Sequence, residues 1–160
     1  MLQLAYASGL RSSELINLNL DDIDLRANRV RCLGKGNKER IIPFHSLAAD
    51  RLGEYLNSHR IKLVTDLSGK ALFLNSRGGR ITRQGYWLTL KKYAQMLNLS
   101  DNITPHSLRH SFATHLLQGG APIGHVQELL GHASISSTQI YTHITKEFVR
   151  EEYETAHPRS

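Results

Sequence analysis

The chain holds a single cysteine, Cys32, among 160 residues. An internal disulfide is therefore excluded, and this usage fits a reducing cytoplasm. No apolar run approaches the ~20 residues needed to span a bilayer, so no membrane segment is expected. The opening MLQLAYASGL is apolar but lacks the basic stretch that begins a signal peptide. Internal repeats and low-complexity tracts are missing too. Carboxylates are the minority charge: 14 Asp and Glu stand against 20 Lys and Arg, for a formal net charge of +6. That balance attracts polyanions, with nucleic acid the first candidate. A thiolate metal cluster cannot be built from one cysteine. The zinc-hydrolase pattern His-Glu-x-x-His is also absent, because Ser107, Leu108 and Arg109 stand between His106 and His110. A guanidinium beside His110 disfavours a bound cation, so no metal site is expected.

What is present suits one soluble domain. The length matches a single core, and 40% hydrophobic residues is ordinary for a globular chain. Met1 to Ala7 reads as a helix broken at Ser-Gly-Leu, followed by a short helix in RSSELINL with Ser12 or Ser13 as cap. RVRCLGKGNKERIIPF alternates around a Gly-Lys-Gly-Asn turn and predicts a β-hairpin, with Val30 and Cys32 on one arm and Ile41 and Ile42 on the other. SLAADRLGEYLNSHR has helical spacing, ALFLN reads as a short strand, and a helix is expected from Thr82. In that helix Lys91 and Lys92 read as a solvated face, and Trp87, Tyr93 and Leu97 as core. Pro105 to Leu117 predicts a helix stopped by Gly119 and Gly120, and PIGHVQELL a shorter one ending at Gly131. SISSTQIYTHI and the charged tail TKEFVREEYETAH complete a mostly helical pattern with one small antiparallel sheet.

His106 and Arg109 are three apart on the predicted helix and so share a face. Three distant features join them: Arg11 in GLRSSEL, Lys35 in GKGNKER, and His132 with Tyr141 in LLGHASISSTQIYTH. Taken singly, each has a plain reading: a solvated arginine, a hairpin-tip lysine, a half-buried tyrosine. His110 and His115 read as hydrogen-bonded structural residues.

Taken together, these residues resemble the tyrosine recombinase (phage-integrase-like) family, most closely its Xer branch. The resemblance runs from YASGLRSSEL to IYTH, with Arg11, Lys35, His106, Arg109, His132 and Tyr141 in the family's order. It implies an α+β, mostly α-helical catalytic domain with a small antiparallel β-sheet or hairpin, over residues 1–160. The N-terminal helical domain that clamps the other face of DNA in this family is expected to be absent from this chain. The resemblance further implies a cytoplasmic DNA breaking-and-rejoining enzyme with no metal or nucleotide cofactor. Its partners would be double-stranded DNA and other recombinase protomers, tetrameric on DNA through a C-terminal helix whose apolar residues are Phe148, Val149 and Tyr153.

The residue types suit that chemistry. A phosphodiester under attack spreads charge over its non-bridging oxygens, and two fork-shaped, always-charged guanidiniums, Arg11 and Arg109, can hold them. A tyrosine hydroxyl, Tyr141, can form a covalent intermediate that conserves the bond for rejoining, but its free pKa of ~10 calls for help in losing the proton. The resemblance gives that task to His106, gives His132 a hydrogen bond to a phosphate oxygen, and gives Lys35 the protonation of the leaving 5′-oxygen. Lys38 and Arg40 flank the hairpin tip and suit backbone phosphates. Arg83 and Gln84 open a helix suited to the major groove. Glu14, three residues after Arg11, either aligns Arg11 or stabilises a helix N-terminus. A type IB topoisomerase-like enzyme and a binding-only relative are the alternatives; small size disfavours the first and the intact six residues the second.

Overall fold

A computed structural model describes residues 1–33, 39–99, 102–131 and 158. Lys35, Lys38, His132, Tyr141 and both expected C-terminal helices lie outside these described residues. Helix α1 (Leu2–Ser8) ends at Gly9, whose φ of 58° allows the left-handed turn that stops it. A side chain at Gly9 would strike the Phe112 ring. Helix α2 (Ser12–Asn17) follows, and its N-cap is Arg11, with Ser12 and Ser13 already inside the first turn. The expected serine cap is replaced because Glu14 reaches back to accept the Arg11 backbone N–H at 2.7 Å.

The sheet is antiparallel, in the order β1 (Ile23–Asp24), β2 (Arg29–Leu33), β3 (Glu39–Pro43). Its register pairs Val30 with Ile42 and Cys32 with Arg40. Val30, Cys32 and Ile42 are buried and Ile41 is exposed, as period-two alternation requires. Helix α3 (Ser46–Glu54) continues through a wider π-turn at Tyr55–His59 and a tighter 3-10 turn to Lys62. ALFLN forms no strand, only the single bridges Asn19 with Ala71 and Leu74 with Arg80. Side chains take the backbone groups a ladder would use: Arg60 donates to the Ala71 and Leu72 carbonyls, and the Tyr55 hydroxyl accepts from the Leu74 N–H.

Helix α4 (Arg83–Met96) is capped by Thr82 and buries Tyr86, Leu90 and Ala94, a stripe at four-residue spacing. Trp87, Tyr93 and Leu97, expected in the core, fall off that stripe and are exposed. Lys91 lies 5.6 Å from the centre of the Trp87 ring. Helix α5 (Pro105–Gln118) is held at its start by reciprocal Thr104–Ser107 bonds of 3.1 and 3.2 Å. It packs against α1, where the Tyr6 hydroxyl meets His115 Nδ1 at 2.7 Å. The structural role expected of His115 holds; His110 is exposed. Helix α6 (Ile123–Leu130) ends at Gly131, φ 64°. The core joins Leu4, Leu15, Val30, Ile42, Leu72, Tyr86, Phe112, Leu116 and Leu129. Among the described residues no helix is long and apolar enough to cross a membrane.

Candidate active site

Three helices begin at one concavity. The start of α2 contributes Leu10, Arg11, Ser12 and Ser13, the start of α4 contributes Arg83, and the start of α5 contributes Pro105, His106 and Arg109. The open cavity measures about 450 Å³. Among the described residues its lining holds three arginines and a histidine and no carboxylate. The positive ends of α4 and α5 add to that field. Sequence reasoning gathered Arg11, His106 and Arg109, and the fold brings them together.

Arg109 and Arg11 are aimed by backbone. Arg109 is 9% exposed and donates through Nη1 to the Gly9 carbonyl and through Nη2 to the Leu130 carbonyl at 2.6 Å. The glycine that ends α1 thus also orients Arg109. Burial, and then the charge of Arg11, lower the Arg109 pKa to about 10, with Glu14 opposing. The group still carries its charge at neutral pH. Arg11 is more open and donates through Nη2 to the Gly131 carbonyl at 3.0 Å and through Nη1 to Glu14 at 3.0 Å. Glu14 therefore does both things considered for it: it closes the α2 capping box and it aligns Arg11.

The four expected DNA contacts separate. Arg83 and Gln84 are exposed at the first turn of α4, and Arg83 also lines the cavity. Arg40 is turned inward. Its Nη1 and Nη2 meet the two Glu14 oxygens at 2.9 and 2.8 Å, and its Nε donates to the Leu129 carbonyl at 3.1 Å. The signal for this was in the alternation, since Arg40 shares strand parity with the buried Ile42 and pairs with the buried Cys32. Lys38 falls outside the described residues. Three successive carbonyls at the end of α6, those of Leu129, Leu130 and Gly131, thus accept from three guanidiniums, those of Arg40, Arg109 and Arg11. Sequence reasoning missed this clamp, which ends one residue before His132.

Burial raises Glu14, but hydrogen bonds from Arg40 and from the Arg11 backbone, with the charge of Arg40, carry its pKa below the ordinary value. Burial pushes the Cys32 thiol up to about 11. A thiol with so high a pKa is a poor nucleophile at neutral pH. Among the described residues no three His, Cys, Asp or Glu side chains gather as metal ligands would.

Known proteins resemble this chain in sequence and fold. Tyrosine recombinase XerD of Halalkalibacterium halodurans is 53% identical over 160 residues, covering 100% of this chain and 54% of that protein. The crystal structure of XerA recombinase superposes with a TM-score of 0.76 at 34% identity, over 99% of this chain and 57% of that one. XerH site-specific recombinase bound to difH substrate, in a pre-cleavage complex, matches with a TM-score of 0.72 at 30% identity, over 94% of this chain and 44% of that one. The chain spans about half the length of the curated relatives it matches. The profile described as "Phage integrase family" matches residues 1–147, and the chain belongs to that family, with tyrosine recombinases of the Xer type as its relatives.

Proposed function

We propose that this chain is the catalytic domain of a Xer-type site-specific recombinase, acting on double-stranded DNA in the cytoplasm. The observation that carries this reading is the cavity in which Arg11, His106 and Arg109 converge at helix starts, with no carboxylate among its described lining residues. Such a cavity suits one phosphodiester with its developing negative charge. The two guanidiniums hold the non-bridging oxygens, and His106 takes the proton as the Tyr141 hydroxyl attacks phosphorus. The bond to the 5′-oxygen breaks, that oxygen takes a proton from Lys35, and a 3′-phosphotyrosyl link remains. Attack by a 5′-hydroxyl on the same phosphorus rejoins the strand and frees Tyr141. His132 donates a hydrogen bond to a phosphate oxygen. Arg83 and Gln84 contact the duplex beside the cavity, and Lys38 binds a backbone phosphate. Assembly on DNA with other protomers, through the segment carrying Phe148, Val149 and Tyr153, belongs to the same proposal.

The test is a nicked suicide duplex that loses its 5′-hydroxyl fragment after cleavage, drawn from a pool of Xer-like half-sites. It is incubated with the protein in EDTA and resolved on a denaturing gel. A covalent adduct that disappears with Tyr141→Phe is expected. DNA retardation without an adduct would assign the chain to binding alone.

A further inference from the structure

We propose that Arg40 is a positioning residue for the phosphate cavity: it matches the charge of Glu14, so that Glu14 aligns Arg11 without cancelling it. The inference rests on the cavity being a phosphodiester site. Glu14 is almost wholly buried, its side chain 8% exposed, between two guanidiniums. The bidentate fork is made with Arg40, whose two terminal nitrogens meet both Glu14 oxygens at 2.9 and 2.8 Å. Arg11 takes one side-chain bond, at 3.0 Å, and one backbone bond, at 2.7 Å. Arg40 is 13% exposed at its side chain and does not line the cavity, so it acts through Glu14.

Charge arithmetic gives the reason. A buried carboxylate facing Arg11 alone would form a one-to-one ion pair beside the incoming phosphate and would also repel it. With Arg40 present, two cations share one carboxylate, and the set keeps a net positive charge for Arg11 to offer. Two further contacts fix Arg40 for this task. Its Nε is held by the Leu129 carbonyl at 3.1 Å. Gly131 makes room for it, since a Cβ there would lie 2.9 Å from Arg40 Nη1 and 3.0 Å from Cζ.

The test compares the protein with Arg40→Gln, Arg40→Lys, Glu14→Gln and the double variant Glu14→Gln/Arg40→Gln, each checked for its fold by circular dichroism. Inorganic phosphate is titrated while the Arg11 Nε–Hε resonance is followed by NMR, and single-turnover cleavage is measured at saturating DNA. Arg40→Gln is expected to weaken phosphate binding on the order of tenfold, and the double variant to recover most of that loss, because the two sites are coupled. Arg40→Lys keeps the charge and is expected to fall between. Cleavage should follow the same order while duplex affinity changes little. A double variant no better than Arg40→Gln would overturn the proposal. So would a variant that binds phosphate normally and instead lowers the slope of DNA affinity against salt by about one, the mark of an outward phosphate contact. If Arg40→Gln fails to fold, Arg40→Lys and the double variant decide in its place: normal phosphate binding with lysine and none recovered in the double would overturn the idea. The phosphate titration needs no strand cleavage. A missing Tyr141 adduct therefore counts against the proposed function, and a missing rescue counts against Arg40.

Discussion

Two sets of arginines in this chain do the same local chemistry to different ends. Arg60 and Arg80 donate to carbonyls outside the cavity lining: Arg60 to those of Ala71 and Leu72, Arg80 to those of Ile16 and Leu18 and to the Asn19 side chain. They staple irregular backbone together, and neither lines the cavity. Arg11 and Arg109 also donate to carbonyls, those of Gly131, Gly9 and Leu130, yet both face open space. A buried arginine is thus not a sign of function by itself. What distinguishes the second set is unbalanced charge at a concave surface, with donors left over once the backbone has fixed the group.

The largest effect that would break this comparison comes from Arg109→Lys, which keeps the charge and loses the fork. We expect single-turnover cleavage to fall by about 10²–10³-fold, the usual cost of one preorganised donor, measured as covalent adduct against time. Arg60→Met should do the reverse. It leaves the Ala71 and Leu72 carbonyls short of a donor and should cost about 2 kcal/mol in urea unfolding, with adduct formation by the folded protein unchanged. Equal loss of cleavage in both would erase the distinction. Gly131→Ala combines a strained positive φ with a clash on Arg40, and should cost about 1–2 kcal/mol in the same unfolding assay. A smaller effect is in pH. The Glu14 pKa lies below its ordinary value in the folded state, so its contribution is full above that ordinary value and is lost as pH falls through the lowered one. Glu14→Gln should flatten that acid limb in urea midpoints taken from about pH 7 to about pH 3. Smallest of all, Cys32, pushed up to about 11, should react with iodoacetamide at pH 8 on the order of 10²-fold more slowly than a free thiol.

Much of this was legible in sequence because local rules agreed with the fold. The hairpin alternation, the glycine before Arg11, and Pro105 opening a helix that carries His106 and Arg109 on one face all survive into the structure. ALFLN did not, because β-propensity says nothing of Arg60 and Tyr55, distant side chains that occupy its backbone groups. Trp87, Tyr93 and Leu97 mislead because residue type alone points to the core, whereas the buried stripe is set by Tyr86, Leu90 and Ala94. Arg40 misled for the opposite reason. Its charge argued for the surface while its strand parity argued for the interior, and Glu14 decided between them. The carbonyl clamp at the end of α6 was beyond sequence reading, since backbone acceptors look alike at every residue.

The reciprocal bonds between Thr104 and Ser107 have a consequence for what this helix can tolerate. They fix where α5 begins, and from that origin each residue adds about 100° of rotation and about 1.5 Å of rise. His106 and Arg109 are therefore graduations on a ruler whose zero is Thr104. One residue inserted between them would leave every side-chain type intact and swing Arg109 about 100° away from the cavity. The alphabet of the site would survive such a change, and its spelling would not.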